Sequence, residues 1–127
     1  MTTSVRSIHH VQLAMPPNRE AEARRFYGGI LGIPEVTKPA NLAKRGGCWF
    51  ERGELRIHLG VEADFRPAGK AHPALLVRDL PALLKALSFA GHPADPGEEM
   101  EGFSRAYVHD PFGNRIELIQ PLTADPV

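Results

Sequence analysis

Four side chains in this 127-residue chain are of a kind that could share a metal ion: His10, His58, His72 and Glu117. Three imidazoles and a carboxylate suit a divalent first-row cation, and four protein ligands leave one or two positions open for a substrate. Their wide separation in sequence is no metal signature by itself. What singles them out is that symmetric positions of an internal repeat all carry ligand-type side chains.

The clearest of the stretches that carry them is near the C-terminus. Arg105-Ala106-Tyr107-Val108-His109 and Arg115-Ile116-Glu117-Leu118-Ile119 flank Asp110-Pro111-Phe112-Gly113-Asn114, which reads as a hairpin turn. A three-residue loop with Gly113 left-handed sets Asp110 opposite Asn114 and Tyr107 opposite Glu117. Ala106, Val108, Ile116 and Leu118 then share one face, and Arg105, Tyr107, Arg115 and Glu117 the other. A carboxylate in the middle of such a strand is costly unless paired, either with a metal ion or with Arg105 or Arg115.

The remaining elements are read in order. Ile8 to Met15 alternates, with Val11, Leu13 and Met15 on one side and His10, Gln12 and Ala14 on the other. Asn18 is offered as the cap of a helix from Arg19 to Leu31, whose buried stripe is Ala23, Phe26, Tyr27, Ile30 and Leu31. A short edge strand is expected at Ile33 to Lys38. A second hairpin joins Gly47–Phe50 to Leu55–Leu59, with Glu51 paired to Glu54. Trp49, Arg56 and His58 share its polar face, and Cys48 falls on the apolar one, where a thiol is inert. After a charged loop, His72 to Val77 forms a strand and Asp79 caps a helix closed by Gly91. His92 to Gly102 is loose, with one short strand and an acidic run around Glu98. His9, His92 and His109 sit at ends and turns as surface residues. Residues 123–127 are expected to fray.

The two halves repeat. His10-Val11-Gln12-Leu13 corresponds to His72-Pro73-Ala74-Leu75, and Arg56-Ile57-His58-Leu59 to Arg115-Ile116-Glu117-Leu118. The expected fold is α+β: one domain spanning 1–127, made of two βαβββ modules at approximately 5–60 and 70–122. Their sheets enclose a shared cleft, and helices cover the apolar faces. His10, His58, His72 and Glu117 converge there from pseudo-symmetric positions. Trp49 and Tyr107 are cleft walls or ordinary packing residues. Arg56 and Arg105 offer positive charge to a substrate anion, or lie at a solvated sheet edge.

These residues resemble the vicinal oxygen chelate superfamily, which includes glyoxalase I, fosfomycin-resistance proteins, extradiol dioxygenases and bleomycin-resistance proteins. The matching motifs are Ile8-His9-His10-Val11-Gln12-Leu13, Phe26-Tyr27 through Leu31-Gly32, Leu55 to Leu59, and Asp110-Pro111-Phe112-Gly113-Asn114-Arg115-Ile116-Glu117-Leu118. The resemblance implies a divalent metal ion (Zn, Ni, Mn or Fe) held by His10, His72 and Glu117. His58 stands where glyoxalase I-like members carry a glutamate, as a fourth ligand or a donor to substrate. It further implies a small-molecule substrate with adjacent oxygens, Glu117 as the residue that moves a proton, and a homodimer. A glyoxalase I-like lyase or isomerase is the first expectation. A dioxygenase, a fosfomycin-type transferase and a metal-free drug-binding protein are the alternatives.

Composition excludes other classes. Lys and Arg total 15 against 15 Asp and Glu, so no long-range field favours nucleic acid or an anionic membrane surface. No apolar run approaches the roughly 20 residues needed to span a bilayer. The opening residues Met1 to Arg6 lack the apolar core of a signal peptide, so a cytoplasmic protein is expected. A single cysteine permits no internal disulfide.

Overall fold

The computed structural model describes residues 4–123; the expected frayed tail lies outside it from position 124 onward. Two four-stranded sheets form. The first contains β1 (Val11–Met15), β2 (Glu35–Val36), β3 (Cys48–Arg52) and β4 (Leu55–Val61), in the order β1-β4-β3-β2. The second contains β5 (Ala74–Leu76), β6 (Asp95–Pro96), β7 (Phe103–His109) and β8 (Arg115–Pro121), in the order β5-β8-β7-β6. In each, the first strand runs parallel to the last and the others are antiparallel. This is the expected pair of βαβββ modules.

The first module's helix begins as α1 (Glu20–Ala23) and widens into a π-helical stretch, Arg24–Ile30, closed by Leu31 N–H donating to the Phe26 carbonyl at 2.9 Å. Gly28 and Gly29 are weak helix formers, and the wider turn occurs around them. Asn18 does not cap this helix. It adopts φ 64°, the left-handed region that asparagine tolerates, and Arg19 takes the cap position without a side-chain bond. A short helix that the sequence pattern had not marked, α2 (Ala40–Ala43), lies in the polar link. In the second module, α3 (Leu80–Phe89) is capped as expected: the Asp79 carboxylate accepts from Ala82 N–H at 3.1 Å.

Strand alternation sorts the side chains. Ile57, Leu59, Cys48, Phe50 and Met15 of the first sheet and Val108, Ile116 and Leu118 of the second join Phe26, Tyr27, Leu80 and Leu87 from the helices in one core. The terminal hairpin has the expected register, Tyr107 opposite Glu117, with Gly113 at φ 93°. The first hairpin is corrected. Glu51 pairs with Arg56 rather than Glu54, because the two-residue turn is Gly53-Glu54 and not Arg52-Gly53, which puts Gly53 at φ 60° in its first position. The shift is an even number of residues, so every side chain keeps its face.

The turn between β7 and β8 also joins the modules. Tyr27 Oη donates to Asp110 Oδ2 at 2.7 Å, and Asn114 Nδ2 donates to the Ala14 carbonyl at 2.8 Å and to Asp110 Oδ2 at 2.9 Å. Asp110 Oδ1 accepts from the Phe112 and Asn114 amides at 2.9 and 2.8 Å. Burial, followed by the neighbouring Asp110 carboxylate, pushes the Tyr27 hydroxyl well above the usual phenol range.

Candidate functional site

On the first sheet, the polar side chains build around His58. It is 3 % exposed, in the middle of β4, and its Nε2 lies 2.7 Å from Glu51 Oε2. Trp49, directly opposite on β3, stacks on the imidazole with ring centroids 4.0 Å apart and planes 4° from parallel. His10 stacks on the other side at 4.3 Å and 20°. Burial pulls the His58 pKa below the ordinary imidazole value and outweighs the Glu51 hydrogen bond, which raises it. His58 is therefore a buried ring clamped between two others.

On the second sheet the centre is Glu117, mid-β8 and 6 % exposed. Oε1 meets His72 Nε2 at 2.9 Å, and Oε2 accepts from Arg105 Nη1 at 3.1 Å. Tyr107, opposite on β7, has its hydroxyl 3.0 Å from the same Arg105 nitrogen and receives the Arg115 guanidinium on its ring face at 3.9 Å. Burial alone would raise the Glu117 pKa. The hydrogen bonds from His72 and Arg105 outweigh it and hold the carboxyl below its ordinary value.

The His72 contact carries the most chemical information. Its Nδ1 lies 2.8 Å from the Lys70 carbonyl, an acceptor, so Nδ1 carries a proton. With a proton on Nε2 as well, the ring donates to Glu117 Oε1, the hydrogen bond that helps hold that carboxyl down. An imidazole whose far nitrogen is anchored on a backbone carbonyl is also how metal-ligating histidines are commonly held.

The convergence expected from the repeat is met in pairs and not fourfold. His10 contacts His58, and His72 contacts Glu117, but among the described residues no three His, Cys, Asp or Glu side chains are grouped so as to hold a metal ion. The stacked rings of His10 and His58 also point their in-plane lone pairs side by side rather than at one point. His10 would have to rotate to share an ion with His58. The second pair sets His72 Nε2 and Glu117 Oε1 side by side while Oε2 stays with Arg105; the first pair shares no such point.

The other expected residues are accounted for. Trp49 and Tyr107 each flank the central polar residue of their sheet. Arg105 is engaged with Glu117, Tyr107 and the Glu98 carbonyl, while Arg56 reaches the His9 carbonyl at 3.1 Å. Cys48 is buried, and desolvation pushes its thiol up to about 11, as befits an inert core residue. His92 is only partly a surface residue, packed edge-on against Phe26 at 4.8 Å with Nδ1 near the His109 carbonyl. Glu51 was missed as a site residue. The signal was present: a carboxylate two positions from Trp49 on the same polar face, diagonal to His58.

No family model matches the chain, and no curated protein matches it. Solved structures do. A protein of Bacillus anthracis described as belonging to the glyoxalase family is 44% identical over 95% of this chain and 99% of that one, with a TM-score of 0.89. A glyoxalase/dioxygenase from Nostoc punctiforme is 22% identical over 97% and 100%, with a TM-score of 0.76. TnmS3, an antibiotic-binding protein from a Streptomyces species, is 20% identical over 94% and 99%, with a TM-score of 0.71.

Proposed function

Because the chain belongs to the glyoxalase family, within the vicinal oxygen chelate superfamily, we propose that it is a metal-dependent lyase or isomerase of the glyoxalase I type. The reading extends to a small substrate with adjacent oxygens and to a homodimer. The observation that carries it is the His72–Glu117 pair, two ligand-type side chains 2.9 Å apart with the imidazole's other nitrogen fixed on the Lys70 carbonyl.

One chain supplies only two such side chains at each place, so the site is completed by a second copy. His10 and His58 of one protomer meet His72 and Glu117 of the other, each pair lying on the polar face of its own sheet. A bound divalent ion would supply Lewis-acid polarisation of both substrate oxygens. The chain's own residues do the rest. Glu117, kept ionised by Arg105, accepts and returns the proton at Oε1. Glu51 fixes the tautomer and orientation of His58. Trp49 and Tyr107 wall the site, and the cation comes from a set that includes Zn, Ni, Mn and Fe.

A second reading, metal-free binding of a small molecule, draws on two observations. Both Glu117 oxygens already have protein partners, and His10 lies stacked rather than splayed toward an ion.

Mixing two variants decides between these readings. One copy carries His10→Ala and His58→Ala; the other carries His72→Ala and Glu117→Gln. Each alone is expected to bind no nickel or zinc. If sites are shared between copies, a mixed dimer regains one intact site, read as bound metal by elemental analysis. Wild-type protein that takes up no metal rejects the enzyme reading; wild-type uptake without recovery in the mixture rejects the shared site.

A further inference from the structure

A cavity of about 530 Å3 opens beside His72, where the edge strand β1 of the first sheet comes near the loop leading into β5. Its volume falls in the range of small-molecule sites, roughly 300–1,000 Å3. Ile8, Val11 and Leu13 give it an apolar wall. Two guanidinium groups, Arg66 and Arg115, give it a charged end, offset by the single carboxylate of Glu62. Neither arginine has an ion-pair partner among the described residues.

The two arginines differ in a useful way. Arg115 is held over the Tyr107 ring at 3.9 Å, which fixes its plane while leaving its N–H edge free. Arg66 stands exposed on the charged loop and lines the same cavity. A preorganised fork plus an exposed one, beside an apolar wall, matches an anion carried on a hydrophobic body. Arg56 and Arg105, the arginines that the sequence pattern had suggested for this task, are instead occupied by the His9 carbonyl and by Glu117.

We infer that this cavity binds small organic carboxylates with an apolar or aromatic body, through Arg66 and Arg115. His72 lines the cavity, so the inference adjoins the proposed metal site, but binding through the two arginines needs no metal. Metal-free protein, prepared with EDTA, therefore tests it separately. Cinnamate and its neutral analogue cinnamamide are titrated while backbone amide shifts are followed by NMR. Cinnamate is expected to shift Gln12, Ala71 and Asn114 and to bind about tenfold or more tightly than the amide, the usual scale for a charge-assisted pair. Arg66→Gln and Arg115→Gln are each expected to weaken cinnamate about tenfold and to leave cinnamamide unchanged. Arg66 lies on an exposed loop, so its variant reports even if the Arg115 variant folds poorly. Equal affinity for acid and amide, shifts that map elsewhere, or full binding by the Arg66 variant would overturn the assignment.

Discussion

His58 and Glu117 occupy the same place in their two sheets. Each lies mid-strand on the polar face, directly opposite an aromatic residue: Trp49 in one sheet, Tyr107 in the other. Each is bound to a residue of the complementary kind, His58 to Glu51 and Glu117 to His72. The repeat has thus produced two imidazole–carboxylate pairs with the roles exchanged. Only the second pair includes an arginine that keeps the acid charged.

The His72–Glu117 pair should be the more sensitive to substitution. Glu117→Gln keeps the shape but removes the charge, and His72→Ala removes the nitrogen. Each is expected to lower metal affinity by at least tenfold. Glu51→Gln, which leaves every expected ligand in place, should have a smaller effect on affinity. Competition with a chromogenic chelator measures all three.

Acid should weaken the fold in two steps whose sign follows from the two shifts. The His58 pKa is depressed below its ordinary 6.5, so the unfolded chain binds this proton first and stability falls as pH drops below about 6.5. The Glu117 pKa is depressed below 4.5, so its contribution is present above that value and is lost as pH falls through the lower folded value. Thermal midpoints between pH 2 and pH 8 should decline toward acid. His58→Gln should flatten the upper step alone, and a midpoint that rises between pH 7 and pH 5 would contradict the assignment.

The contact between modules should be stabilising and graded. Tyr27→Phe removes one buried hydrogen bond but leaves Asp110 Oδ2 bonded to Asn114, a loss of about 1 kcal/mol. Asp110→Ala strips the partners of the Tyr27 hydroxyl and of two backbone amides and should cost about 3 kcal/mol or more. Urea unfolding of the two variants tests the order.

Much of this was legible in the sequence, because alternation fixes faces. Val108, Ile116 and Leu118 against Tyr107 and Glu117 could be sorted without coordinates, and the left-handed Gly113 set the hairpin register. What alternation does not carry is distance between separate sheets. The repeat placed His10, His58, His72 and Glu117 on equivalent faces, yet equivalent faces of two modules need not look at each other. The tertiary contact that decides this is the Tyr27–Asp110–Asn114 latch, formed from side chains that reading along the chain treats as core and turn. Asn18 shows the same limit locally: a good capping residue served as a left-handed turn instead, and the cap passed to Arg19.

Gly47 and Gly53 separate backbone strain from steric conflict. Both have positive φ, 83° and 60°. A Cβ at Gly53 meets nothing within 4 Å, so Gly53→Ala bears only the left-handed backbone cost of about 1–2 kcal/mol. At Gly47, a Cβ would fall inside the contact distance of the Leu59 carbonyl oxygen, on the strand that carries His58. Backbone oxygen cannot rotate aside as a side chain can, so β4 itself must shift. Gly47→Ala should therefore lose clearly more stability than Gly53→Ala, by about 2 kcal/mol or more. It should also disturb the Trp49–His58 stack, visible as a change in tryptophan fluorescence in the folded protein. Equal midpoints in urea for the two variants would show that the close approach of Gly47 to β4 does not hold in solution.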